Sequence, residues 1–143
     1  MSPMKKILIF DDNAVIRALI KNFGRQWETE VVAVDRAEAA VDAMCGLDPP
    51  QILFVDWDPN DVERVELVRS IRQFSSDLTI YIIVIAESNQ SDLLETAFAA
   101  GADDFLVKPF EKRELRKRVL EAEKVIARHE SVTEASSKFG ISE

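Results

Sequence analysis

The sequence predicts an α/β protein in which five βα repeats build one doubly wound parallel sheet. Two observations predict it. Apolar runs of four to six residues recur along the chain and alternate with amphipathic segments. Those runs are continuous rather than alternating in polarity, as expected of strands covered on both faces by helices.

The elements follow in order. "KILIF" (6–10) reads as the first strand, and Asp12 or Asn13 as a cap for the helix after it. Within 14–25, Val15, Leu19 and Phe23 recur at i, i+4 and i+8 with Ile16 and Ile20 beside them, a helical period. "VVAV" (31–34) is the second strand. In 36–45, Ala37, Ala40, Val41 and Met44 make one stripe that Gly46 can stop. "ILFV" (52–55) is the third strand. Asn60 with Glu63 reads as an N-cap pair before a stripe of Val62, Val65 and Val68, with Asp61 as a first-turn acid. "IYIIVI" (80–85) is the fourth strand, and "SDLLETAFAAG" (91–101) a helix ending at Gly101. "DFLV" (104–107) is the fifth strand. The last helix, 111–129, carries Leu115, Val119, Ala122 and Ile126 on one face. One domain is expected over 1–129. The polar segment 130–143 reads as a frayed terminus or the start of a linker, and Ser131 with Glu134 has the spacing of a capping box for one more helical turn.

Composition narrows the class. The 143 residues suit one domain with its own core, and the 47% apolar and 31% charged fractions are those of a globular protein. A formal net charge of −8 argues against direct nucleic-acid binding, which calls for a basic face. Cys45 is the single cysteine, so no intramolecular disulfide forms, and with His129 the single histidine there is no structural zinc set. No run approaches the ~18 apolar residues of a membrane span, and the apolar run after Lys5 and Lys6 is too short for a signal peptide. A cytoplasmic location without membrane contact is the expectation.

The chemistry lies at the strand ends, because open parallel sheets bind ligands outside their carboxyl edge. Asp11 and Asp12 follow the first strand, and Asp56, Trp57 and Asp58 the third. Ala86, Glu87 and Ser88 follow the fourth, and Lys108 and Pro109 the fifth. One such acid is ordinarily a turn former or cap. Three at one edge repel one another unless a cation compensates, and Mg²⁺ takes one or two carboxylates, waters and often a phosphate oxygen. A screened carboxylate can accept a phosphoryl group, and a lysine ammonium suits a phosphoryl oxygen.

These residues resemble the receiver domains of two-component response regulators, from about Lys5 to about Arg128. The resemblance is carried by the acidic pair in "IFDDN", by Asp56 ending "ILFVD", by "AGADDF", and by "KPF" at 108–110. The intervals of 44 residues from Asp12 to Asp56 and 52 from Asp56 to Lys108 also match. The resemblance implies a flavodoxin-like, CheY-like fold with strand order 2-1-3-4-5. It implies that Asp56 accepts a phosphoryl group from a sensor histidine kinase or phosphotransfer protein. Asp11, Asp12, Asp56 and the backbone carbonyl of Trp57 would hold Mg²⁺, with Mn²⁺ as an alternative. Lys108 would contact the phosphoryl group, and Pro109 would follow a cis bond. No enzyme activity is expected beyond Mg²⁺-dependent self-phosphorylation and dephosphorylation at Asp56. A homodimer through the fourth helix, fifth strand and fifth helix is a further expectation.

Two departures stand out, one at the end of the fourth strand and one in the loop after Asp56, while Phe105 is an allowed choice. Ala86 occupies the position where the family carries Thr or Ser, so the hydroxyl that couples phosphorylation to rearrangement is missing; Ser88 is the nearest replacement. Phe105 takes the switch aromatic position without a hydroxyl. The loop "DWDPNDVERVE" lacks the usual glycine, and Asp58 within it is expected at the mouth of the site, modulating metal or water there, or else as a solvated loop acid. Trp57 is expected to be partly exposed and to report metal binding. Phosphorylation chemistry with weakened or rerouted coupling is the resulting expectation.

Two alternatives remain open: a phosphorylation-independent interaction module on the same fold, and a haloacid-dehalogenase-like phosphatase using "DWD". The second leaves Asp11 and Asp12 unexplained. Cys45 is read as a packing residue, His129 as a surface residue, and "EKRELRKR" as a solvated face.

Overall fold

The computed structural model describes residues 6–74 and 80–138, with side chains described through residue 130. Strands and helices alternate as β1 (Lys6–Phe10), α1 (Ala14–Gln26), β2 (Glu30–Val34), α2 (Ala37–Met44) and β3 (Ile52–Asp56), followed by α3 (Val62–Phe74), β4 (Tyr81–Ala86), α4 (Ser91–Ala100), β5 (Asp104–Val107) and α5 (Lys112–Lys138). Every neighbouring pair is parallel, and the sheet runs β2-β1-β3-β4-β5. This is the flavodoxin-like order.

Strand geometry sends successive side chains to opposite faces, so each continuous apolar run feeds two cores. Ile7, Ile9, Ile52, Phe54, Ile83 and Ile85 meet Ile20 and Phe23 of α1 and Leu115, Val119, Ala122 and Ile126 of α5. The alternate residues, Leu8, Phe10, Leu53, Val55, Ile82 and Val84, meet Ala40 of α2, Leu67, Val68 and Ile71 of α3, and Ala97 and Ala100 of α4. Strands β1, β3 and β4 are buried almost throughout, whereas β2 and β5 form the half-exposed edges.

Several helix details differ from the sequence expectation. Val15 and Val62 are exposed: the buried faces of α1 and α3 keep Phe23 and Val68 from the expected stripes but are completed by Ile20 and by Arg64, Leu67 and Ile71. Val41 is largely exposed while Ala40 is fully buried. The cap of α3 is Asp61 rather than Asn60: its Oδ1 accepts from the backbone N–H groups of Glu63 and Arg64 at 3.0 and 3.3 Å. At α1 the cap is Asn13, accepting from Val15 N–H at 2.9 Å. Cys45 follows α2 and is exposed rather than packed. Helix α5 continues to Lys138, past the break expected near 129. No Gly or Pro interrupts it over that length, so nothing stops propagation. Residues 139–143 of the expected tail lie outside the described residues.

Gly101 closes α4 at φ 126, a backbone region that side chains with a Cβ rarely enter. Arg72 of α3 braces the turn, donating from Nε to Gly101 O at 3.0 Å and from Nη1 to Ile80 O at 3.2 Å, and pairing through Nη2 with Asp103. Asp103 in turn accepts from Ile82 N–H at 2.8 Å, tying the α4–β5 turn to β4.

Candidate functional site

Register assembles the site. Phe10 pairs with Val55, so Asp11 and Asp56, the next residues, lie side by side at the carboxyl edge. The order reverses here, since β2 lies on one side of β1 and β3 on the other, which makes it the switch point where open α/β sheets bind ligands. Ala86 pairs with Val107, and Lys108 N–H donates to Ala86 O at 2.9 Å, so Lys108 arrives on the same edge. The Lys108–Pro109 peptide bond is cis.

Carboxylate oxygens of Asp11, Asp12 and Asp56 lie within 4.8 Å of one another, the one such potential metal-holding group among the described residues. Asp11 is fully buried, Asp56 half-buried and Asp12 exposed. Asp11 is held from two sides: its Oδ1 accepts from Asn13 N–H at 2.9 Å, and its carbonyl accepts from Arg17 Nη1 at 2.7 Å. Its Oδ2 is buried and has no hydrogen-bond partner. A buried carboxylate oxygen that takes no hydrogen bond, with Lys108 3.5 Å away and two other acids beside it, fits a hard divalent cation in its donor chemistry.

Lys108 places its Nζ 3.1 Å from Asp56 Oδ1, 3.5 Å from Asp11 Oδ2 and 3.6 Å from Glu87 Oε1. Burial raises the Asp56 carboxyl above its usual range and the charge of Asp11 adds to this; Lys108 and Arg64 pull it only part of the way back. For Lys108, burial pulls the ammonium down, but the hydrogen bond and charge of Asp56, with Asp11 and Glu87, outweigh it and leave its pKa raised. The lysine is therefore a cation at any physiological pH.

Sequence reasoning missed Arg64. It is 8% exposed on the buried face of α3. Its Nη2 lies 3.3 Å from Asp12 Oδ2 and 3.5 Å from Asp56 Oδ2, its Nη1 pairs with Asp61 Oδ2 at 2.5 Å, and its guanidinium carbon sits 5.2 Å from the centre of the Phe10 ring. The detectable signal was its spacing: Arg64 stands at i before Leu67, Val68 and Ile71 at i+3, i+4 and i+7, a core-facing position.

The other expected residues fall as follows. Trp57 is 3% exposed, not partly exposed. Its indole N–H donates to Thr96 Oγ1 at 3.0 Å and its backbone N–H to Ile85 O at 2.8 Å, which draws the ring under α4. Asp58 is exposed and shapes its own loop: Oδ1 accepts from Asn60 N–H at 2.9 Å and its carbonyl from Asp61 N–H at 3.1 Å. Ala86 is fully buried at the end of β4. The Ser88 hydroxyl accepts from Gln90 N–H at 3.4 Å within its own loop. Phe105 is half-buried, edge-on to Phe98 at 6.3 Å between centroids, with Arg118 5.8 Å from its ring centre.

Known proteins resemble this chain in sequence and in fold. Residues 7–120 match the family model described as response regulator receiver domain. A chemotaxis protein CheY of Listeria monocytogenes is 33% identical over 121 residues, covering 83% of this chain and 95% of that protein. A CheY homolog of Campylobacter jejuni is 28% identical over 117 residues, covering 80% and 88%. A solved structure of the Saccharomyces cerevisiae histidine phosphotransfer protein Ypd1 with the receiver domain of its response regulator Ssk1 superposes with a TM-score of 0.73 at 22% identity, covering 83% of this chain and 88% of that one. No helix among the described residues is long and apolar enough to cross a membrane.

Proposed function

The chain belongs to the response regulator receiver domain family, and on that premise we propose that it accepts a phosphoryl group on Asp56 and passes the signal on through its surface. The observation that carries this is the placement of Asp56 between Asp11, Asp12 and Lys108, at the switch point of the sheet. The donor would be a phosphohistidine on a sensor kinase or phosphotransfer protein, the kind of partner seen with Ssk1. A carboxylate oxygen of Asp56 attacks phosphorus as the P–N bond breaks, and the imidazole leaves with the bonding electron pair. Lys108 meets the negative charge of the phosphoryl oxygens.

Mg²⁺ would be held by Asp11, Asp12, Asp56 and the backbone carbonyl of Trp57, with Mn²⁺ as a substitute. When bound it screens phosphoryl charge from the attacking carboxylate. Phe98, Phe105 and Leu120 lie on α4, β5 and α5, where a homodimer or a target protein would dock; Phe98 and Leu120 are 44% and 41% exposed.

Ala86 favours a second reading, in which the fold serves as a phosphorylation-independent interaction module. Incubation with acetyl phosphate and Mg²⁺, followed by intact-mass measurement, separates the two. The expected result is one added phosphoryl mass, absent in Asp56→Asn. No added mass, where a control receiver gains one, supports the interaction module instead.

A further inference from the structure

Asp12 and Asp56, two of the carboxylates suited to a divalent cation, already face a cation that belongs to the chain. Arg64 reaches them from α3, a helix that no strand-end residue of the site occupies. A guanidinium this buried ordinarily has every donor satisfied. Here Nε is buried with no hydrogen-bond partner, while Nη2 splits its approach between two acids at 3.3 and 3.5 Å. The tight contact is on the other side, where Nη1 meets Asp61, itself fixed as the cap of α3. The head is therefore held firmly at its outer edge and loosely at its inner edge, over the Phe10 ring.

From this geometry we propose that Arg64 is a resident counter-ion that competes with the divalent metal for Asp12 and Asp56, and so sets how much metal the site needs. The proposal rests on the divalent-cation reading of the site. A metal ion between these carboxylates stands against the guanidinium as a like charge, in a partly desolvated position where repulsion is poorly screened. Binding therefore requires Nη2 to withdraw toward Asp61, which remains as its partner. Without metal, Arg64 and Lys108 together relieve the repulsion among Asp11, Asp12 and Asp56.

The test is a calorimetric titration of the whole chain with Mg²⁺, in the parent protein, Arg64→Gln and Arg64→Lys. Arg64→Gln is expected to bind Mg²⁺ roughly tenfold more tightly, within the ~5–150-fold span of coupling between two ligands. Arg64→Lys, which keeps the charge, is expected to stay near the parent. Equal or weaker binding in Arg64→Gln overturns the role given to Arg64, as does tightening in Arg64→Lys equal to that in Arg64→Gln. No saturable binding in any of the three overturns the divalent-cation reading and the competition with it. Should Arg64→Gln not fold, the Arg64 Nε–H signal in the NMR spectrum of the parent decides. It is expected to shift in step with Mg²⁺ saturation, and a signal that stays in place overturns the proposal.

Discussion

The Lys108 ammonium lies 3.1 Å from Oδ1 of Asp56, while Oδ2 of the same carboxylate faces Arg64 at 3.5 Å. The acid is thus approached by two cations from two elements, and each oxygen has its own. Lys108 comes from the sheet edge and stays charged, because its acidic neighbours outweigh the effect of burial.

Replacing Lys108 by Met keeps the stem and removes the charge. Phosphorylation by acetyl phosphate is expected to slow roughly 10–150-fold, the equivalent of ~1.5–3 kcal/mol for a hydrogen bond to a charged group. A time course of intact mass measures it, and a rate within twofold of the parent would mean that Lys108 is not a phosphoryl contact.

Ala86 offers no hydroxyl to a phosphoryl oxygen, so the Phe105 ring is expected to keep its place between Phe98 and Arg118 when beryllofluoride mimics the phosphoryl group. In Ala86→Thr the ring is expected to move, at a stability loss of ~1–3 kcal/mol for overfilling a fully buried position. Structures of both proteins with and without the mimic test this. Full inward rotation of Phe105 in the parent contradicts it.

Gly101 tolerates no Cβ. At φ 126 the added atom would stand 2.7 Å from Cβ of Arg72, the residue that braces the same turn. Gly101→Ala is expected to lower stability by at least ~1–3 kcal/mol through backbone strain alone. The urea midpoint should fall with an unchanged slope. Gly46→Ala is the control, since its Cβ would meet nothing closer than Ala43 O at 3.7 Å, and its midpoint should hold. Equal midpoints in the two variants would refute the steric account.

Tyr81 is the one tyrosine of the chain, so its phenol can be titrated alone by ultraviolet absorbance. Burial raises it to about 12, with the charges of Asp104, Asp103 and Glu121 adding and Arg118 opposing. Folding therefore favours the protonated phenol. Its contribution to stability is fully present below the unfolded value near 10 and is lost as pH rises from there toward about 12. A midpoint near 10 in the folded protein would show that the ring is not held as described.

Much of this was legible in the residues because the strands are unambiguous. Runs such as "ILFV" and "IYIIVI" are too short for core helices and too apolar for loops, and the acids and the lysine stand where those runs stop. Helix phase was harder to read. In α1, Val15, Ile16, Leu19, Ile20 and Phe23 form two adjoining stripes, and only the sheet decides that Ile20 and Phe23, one from each, turn fully inward while Val15 faces out. Arg64 escaped notice because arginine reads as a surface residue; its burial depends on acids that arrive from β1, β3 and its own cap. Trp57 seemed a loop residue until α4 supplied both a cover and the Thr96 hydroxyl.

That indole has a mechanical consequence. Trp57 follows Asp56 directly in the chain; its backbone is stitched to the end of β4 and its ring to the flank of α4. Any displacement of the peptide after Asp56 must therefore be shared with two neighbouring elements or break one of those two bonds. The residue acts as a rivet that pins the ends of β3 and β4 to α4, and it joins the acid edge to α4 without passing through the side chain missing at Ala86.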